Sequence, residues 1–178
     1  MNIEIDYFLF YKHQNRAWGI RNFSFIVIPN GDVYTFNSND LKLDILGNDK
    51  RKNPTNASQE DLLNAFDKGE VMKTKIPFEL EINGVKALPL EQDKAKMIWD
   101  AGYEKYSVYK INPQNNEYED VSLQILDSYY FRVKKSNNYK ELINRIDFYK
   151  EIVKHKIETY PIRINPEFQD EEFLKKNN

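Results

Sequence analysis

The chain has 178 residues, no cysteine and a formal net charge of -2. That length suits one well-buried domain, and the missing thiols exclude disulfides, thiolate metal sites and cysteine nucleophiles. Hydrophobic residues at 40% and charged residues at 30% describe a globular chain, not a disordered or fibrous one. Twelve Tyr and eleven Phe point to a packed, sheet-rich core. The opening Met1-Asn2-Ile3-Glu4-Ile5-Asp6 has no basic region ahead of an apolar stretch, so no signal peptide is expected. The longest apolar run, Tyr7 to Tyr11, is far too short to span a membrane. A cytoplasmic protein without membrane contact is the expectation. The richness in Lys, Asn, Ile and Tyr is what an AT-rich genome encodes, which points to a bacterium or its phage.

Ile3 to Lys12 alternates Ile3, Ile5, Tyr7, Leu9 and Tyr11 against Glu4, Asp6, Phe8, Phe10 and Lys12, which predicts a strand. His13 to Arg16 reads as a polar connection. Phe23 to Ile28 is apolar on both alternating faces apart from Ser24, as in a strand covered on each side. Pro29-Asn30-Gly31-Asp32 follows, with residues that tolerate a positive φ, and Val33 to Phe36 leaves it. This hairpin is expected in the middle of the sheet, and residues 3–36 as a three-stranded meander.

Residues 37–57 turn polar and are expected to form a mobile loop, within which Leu41 to Leu46 offers a short edge strand. Ser58-Gln59-Glu60-Asp61 has the signature of a helix N-cap with acids in the first turn. Leu62, Leu63 and Phe66 supply the inward stripe and Gly69 the stop. Val71 to Ile76 is strand-like. Phe78 to Ile82 alternates and leads into Asn83-Gly84, a strong hairpin signal returning through Val85 to Leu88. Residues 91–101 read as a second short helix ended by Gly102. Tyr106 to Ile111 and Glu117 to Ile125 flank the loop Asn112 to Asn116 as a further hairpin, and Tyr129 to Lys134 adds a strand.

Asn138 opens the best helix in the chain, with Tyr139, Leu142, Ile143, Ile146, Tyr149, Ile152 or Val153, and Ile157 at mostly three- and four-residue steps. Pro161 closes it, and Ile162 to Lys176 makes an extended piece and a terminal helix. The expected fold is α+β: an antiparallel sheet built from hairpins, with two short helices and a longer C-terminal one, in a single domain over residues 1–178.

No dinucleotide-binding, Walker A, nucleophile-elbow or zinc-protease motif occurs, and none carries a family resemblance. His13 and His155 are the only histidines, too isolated in sequence to mark a base or metal ligand. Asp40, Asp44 and Asp49 with Asn37 and Asn39 offer oxygen ligands, yet their spacing fits no calcium loop, and a solvated acidic loop accounts for them. Glu79 and Glu81 share one face of a strand and suit its solvent side. Asp40, Asp44, Glu79 and Glu81 are the residues a metal-dependent hydrolase would use. Residues 132–156 carry eight basic side chains against three acidic, in an otherwise acidic chain. Arg132, Lys134, Lys135, Lys150 and Lys154 are the binding candidates there, for phosphates or for an acidic protein face. The leading expectation is a binding protein without catalytic residues or cofactor, acting on a protein partner by surface complementarity. An immunity or antitoxin-like inhibitor of a partner enzyme is one instance. Metal-dependent hydrolysis and nucleic-acid binding are the alternatives.

Overall fold

A computed structural model of the chain describes residues 5–15, 21–37, 56–82, 85–86, 91–93, 103–126, 131–133 and 137–159. In chain order the elements are β1 (Tyr7–Asn15), β2 (Arg21–Val27), β3 (Asp32–Asn37), α1 (Gln59–Lys68), β4 (Glu70–Lys73), β5 (Glu91–Asp93), β6 (Tyr103–Asn112), β7 (Glu117–Leu126), β8 (Phe131–Val133) and α2 (Asn137–Thr159). The strands form one eight-stranded sheet in the order β4-β3-β2-β1-β6-β7-β8-β5. Every pairing is antiparallel, so the fold is α+β with the long helix C-terminal to the sheet.

The meander is present as β1, β2 and β3. The central pair of the sheet, however, is β1–β6, and the β2–β3 hairpin lies to one side of it. β1 also runs on through His13, Gln14 and Asn15, which read as a connection in sequence. His13 is held between Phe23 on β2 and Glu104 on β6, so both neighbours supply ladder partners to a polar segment.

Period-two alternation divides the core between two faces. Leu9, Tyr11, Phe25, Val27, Tyr106 and Val108 point to α2, whose Tyr139, Leu142, Ile143, Ile146, Tyr149 and Val153 are buried against them. Phe8, Phe10, Ile26, Phe36, Tyr109 and Tyr118 point to the other side, where Leu62 and Ala65 of α1 cover them. α1 begins in a capping box between Ser58 and Asp61. Just before it, Ala57 exchanges two backbone hydrogen bonds with Tyr118, at 2.9 and 2.7 Å, stitching the helix entry to β7.

Two further expectations need correction. Residues 91–93 are strand β5, paired with β8, where a helix was expected. Phe78 to Ile82 is no strand. It crosses the α2 side of the sheet with Phe78 buried and Leu80 and Ile82 half-buried, while Glu79 and Glu81 face outward. The alternation is obeyed, but the backbone is held by other groups: Phe78 N–H donates to Pro29 O at 2.9 Å and Leu80 N–H to the Tyr7 hydroxyl at 3.0 Å. Among the described residues there is one short helix. The loop over 38–55 with its edge strand, the Asn83-Gly84 turn, residues 94–101 of the expected second helix and the tail from 160 onward lie outside the described residues.

Candidate functional site

Of the candidates from sequence, side chains are described for Glu79, Glu81, Lys150 and Lys154. Asp40, Asp44, Lys134 and Lys135 lie outside the described residues, and Arg132 is placed only by its position in β8, opposite Gln92 and Ile125. Glu79 and Glu81 are exposed. Among the described residues no three His, Asp or Glu side chains form a group able to hold a metal ion. Lys154 is exposed and meets Glu151 one turn back at 3.5 Å, a contact of little energetic weight. His155 is exposed as well.

Lys150 has a different environment. Its Nζ reaches Glu104 Oε1 at 3.2 Å and the Tyr106 hydroxyl at 3.1 Å, and lies 4.7 Å from the Tyr11 ring centroid. The same Glu104 oxygen accepts from the Tyr11 hydroxyl at 2.8 Å and stands 3.3 Å from His13 Nδ1. Tyr106 in turn donates to Asp147 Oδ1 of α2 at 3.0 Å. Burial works against the charge on Glu104, but His13, Lys150 and Tyr11 outweigh it and hold the carboxyl down at about 2. Burial first, then the nearby carboxylates, push the Tyr11 and Tyr106 hydroxyls well above the usual phenol range. Charges and donors here are matched to one another across the seam between β1, β6 and α2. The arrangement is a polar clamp that fixes the helix to the sheet, with the rings of Tyr11 and Tyr106 under the Lys150 ammonium.

On the α1 side, Lys105 and Asp120 form an ion pair with both side chains almost wholly buried. Asp120 also accepts from the Ser122 hydroxyl at 3.2 Å. The Ser107 hydroxyl beside them is buried and finds no partner among the described residues.

The remaining feature is a surface. Among the described residues the exposed large hydrophobics are Leu63 (37%), Val71 (48%), Ile76 (39%) and Phe148 (42%). Two of them lie at β4, which ends the sheet with no strand on its outer side among the described residues. Val71 is on β4 itself, opposite Tyr34 of β3. Tyr34 stacks on Phe66 of α1 at 4.1 Å between centroids, and Leu63 is one turn before Phe66. Ile76 follows β4 by three residues. Phe148 adjoins Tyr149, whose hydroxyl donates to Ile76 O at 2.6 Å. Farther along α2, Lys156 meets Glu70 of β4 at 3.1 Å.

Compared with known protein families, with curated proteins and with solved structures, the chain matches none. The fold and the surface are therefore what bear on function.

Sequence reasoning missed this edge. It placed Leu63 in a buried stripe and had no reason to single out Phe148. The clamp was missed for a related reason: His13 and Glu104 are 91 residues apart, and only the β1–β6 register joins them. Among the described residues no helix is long and apolar enough to cross a membrane.

Proposed function

We propose that this protein acts by binding another protein, which docks along β4, the end strand of the sheet among the described residues. One observation carries the reading: of the large apolar side chains left exposed among the described residues, Val71 lies on β4, Ile76 three residues beyond it, and Leu63 and Phe148 on the helices at either face. Exposed hydrophobics scattered singly need no explanation, whereas several on and around a strand with no outer partner among the described residues suit an interaction surface. The basic candidates on α2 support nucleic-acid binding less well, since Lys150 is committed to Glu104 and only Lys154 is exposed. An immunity or antitoxin-like inhibitor, whose chemistry resides in the enzyme it blocks, is the specific instance we favour.

The test is affinity capture from the source cell with the wild-type chain and with Val71→Ser and Phe148→Ser. A partner retained by wild type and lost by both variants is the expected result. A partner that all three retain places the docking surface elsewhere, and no specific partner at all removes the basis of the proposal.

A further inference from the structure

We infer that Lys105 and Asp120 condense to an isopeptide bond, a covalent cross-link between β6 and β7 that forms once the chain has folded. The inference stands independently of the docking surface.

The pair sets a nucleophile against its electrophile. Lys105 Nζ contacts Asp120 Oδ2, and the two side chains are 6% and 0% exposed. Ser122 Oγ donates to the other carboxylate oxygen, Oδ1, at 3.2 Å. The two oxygens therefore differ in what they meet. Oδ2 faces the attacking amine, while Oδ1 has a hydroxyl that stabilises the charge of a tetrahedral intermediate.

The sheet supplies the positioning. β6 is paired with β1 and β7, and β7 with β6 and β8, so both reacting groups are anchored on strands held from either side. Phe10, Tyr109 and Tyr118 are buried on the same face, and Tyr109 stands opposite Asp120 in the register. Away from water, two ions lose the solvation that favours them over a neutral amine and a neutral acid.

The step balances without a further reactant. A proton passes from the Lys105 ammonium to Asp120 Oδ2, and the neutral amine attacks Cγ to form the C–N bond. The Cγ–Oδ2 bond then breaks, and Oδ2 leaves as water with the proton it gained and one more from Nζ. Oδ1 stays as the amide carbonyl oxygen, still accepting from Ser122. Ser107 lies opposite Ser122 in the register, and its buried hydroxyl has no hydrogen-bond partner among the described residues. That hydroxyl is a donor and an acceptor for the departing water. The product replaces two buried charges with one neutral amide.

Intact-mass spectrometry of the purified, denatured full chain tests this. The wild type should be lighter than its sequence mass by one water molecule, and its digest should contain a branched peptide joining Lys105 to Asp120. Asp120→Ala and Lys105→Arg should keep their full sequence masses. In newly translated chain, Ser122→Ala should slow the appearance of the lighter species by on the order of a hundredfold. A wild-type chain that keeps its full sequence mass on prolonged incubation would overturn the inference. A water loss that survives Lys105→Arg would do the same, by placing the dehydration elsewhere. An unchanged rate in Ser122→Ala would overturn the part assigned to that hydroxyl. The mass decides where the unfolding midpoint does not, because losing a cross-link and removing a buried charge pair shift stability in opposite directions.

Discussion

At the residue scale, two glycines differ in why they are required. Gly31 has φ +87°, and a Cβ there would come within 2.5 Å of Ile76 O, so the turn is glycine both for its conformation and because another backbone crosses it. Gly31→Ala is expected to cost about 2–3 kcal/mol in urea unfolding, since neither the strain nor the backbone clash can relax locally. Gly69 ends α1 in an extended conformation, φ -80°, so it is not a left-handed cap. Its absent Cβ makes room for the Phe36 ring, which would be only 2.5 Å away. Glu104 gives a pH-dependent prediction. Its carboxyl titrates at about 2 in the folded chain against 4.5 ordinarily, so the unfolded state binds its proton first as the pH falls. The stabilisation, at most about 3 kcal/mol, is present above pH 4.5 and is lost between there and pH 2. Urea titrations across that range should slope for wild type and flatten for Glu104→Gln; equal slopes would show that the clamp contributes nothing.

At the element scale, α1 depends on its capping box, in which Ser58 Oγ accepts from Asp61 N–H at 3.1 Å and Asp61 Oδ2 accepts from Ser58 N–H at 2.8 Å. Ser58→Ala should lower stability by about 1 kcal/mol, with the loss of helical signal in circular dichroism confined to the start of the transition. The β6–β7 hairpin contains the buried Lys105–Asp120 pair. Asp120→Ala leaves an uncompensated ammonium inside and should destabilise by about 3–5 kcal/mol, whereas Lys105→Met/Asp120→Leu should come close to wild type. A double variant as unstable as the single one would mean that the pair is needed for more than its charge balance. Cap, turn and stripe were legible in the sequence for α1, the β6–β7 hairpin and α2, because each is decided by residues within a few positions. The segment 78–82 misled for the same reason: Phe78, Leu80 and Ile82 do point inward, but alternation does not reveal whether a ladder partner exists.

At the scale of the whole molecule, the proposed docking residues are distinct from those of the core. Val71 and Phe148 are 48% and 42% exposed, so Val71→Ser and Phe148→Ser should leave the urea midpoint within about 0.5 kcal/mol of wild type while partner capture is lost. A large shift in midpoint would instead make those side chains part of the core. The sequence by itself determined the α+β class, the two-sided burial of Phe23 to Ile28 and the inward stripe of α2, since these follow from periodicity and turn chemistry along the chain. Only the tertiary structure decided that β1 and β6 form the centre, that Lys150 turns inward to Glu104, and that β4, with exposed Val71, has no strand on its outer side among the described residues. Strand order and the meeting of distant side chains depend on which surfaces are covered by which elements. That is a property of the assembled layers, and no local pattern encodes it.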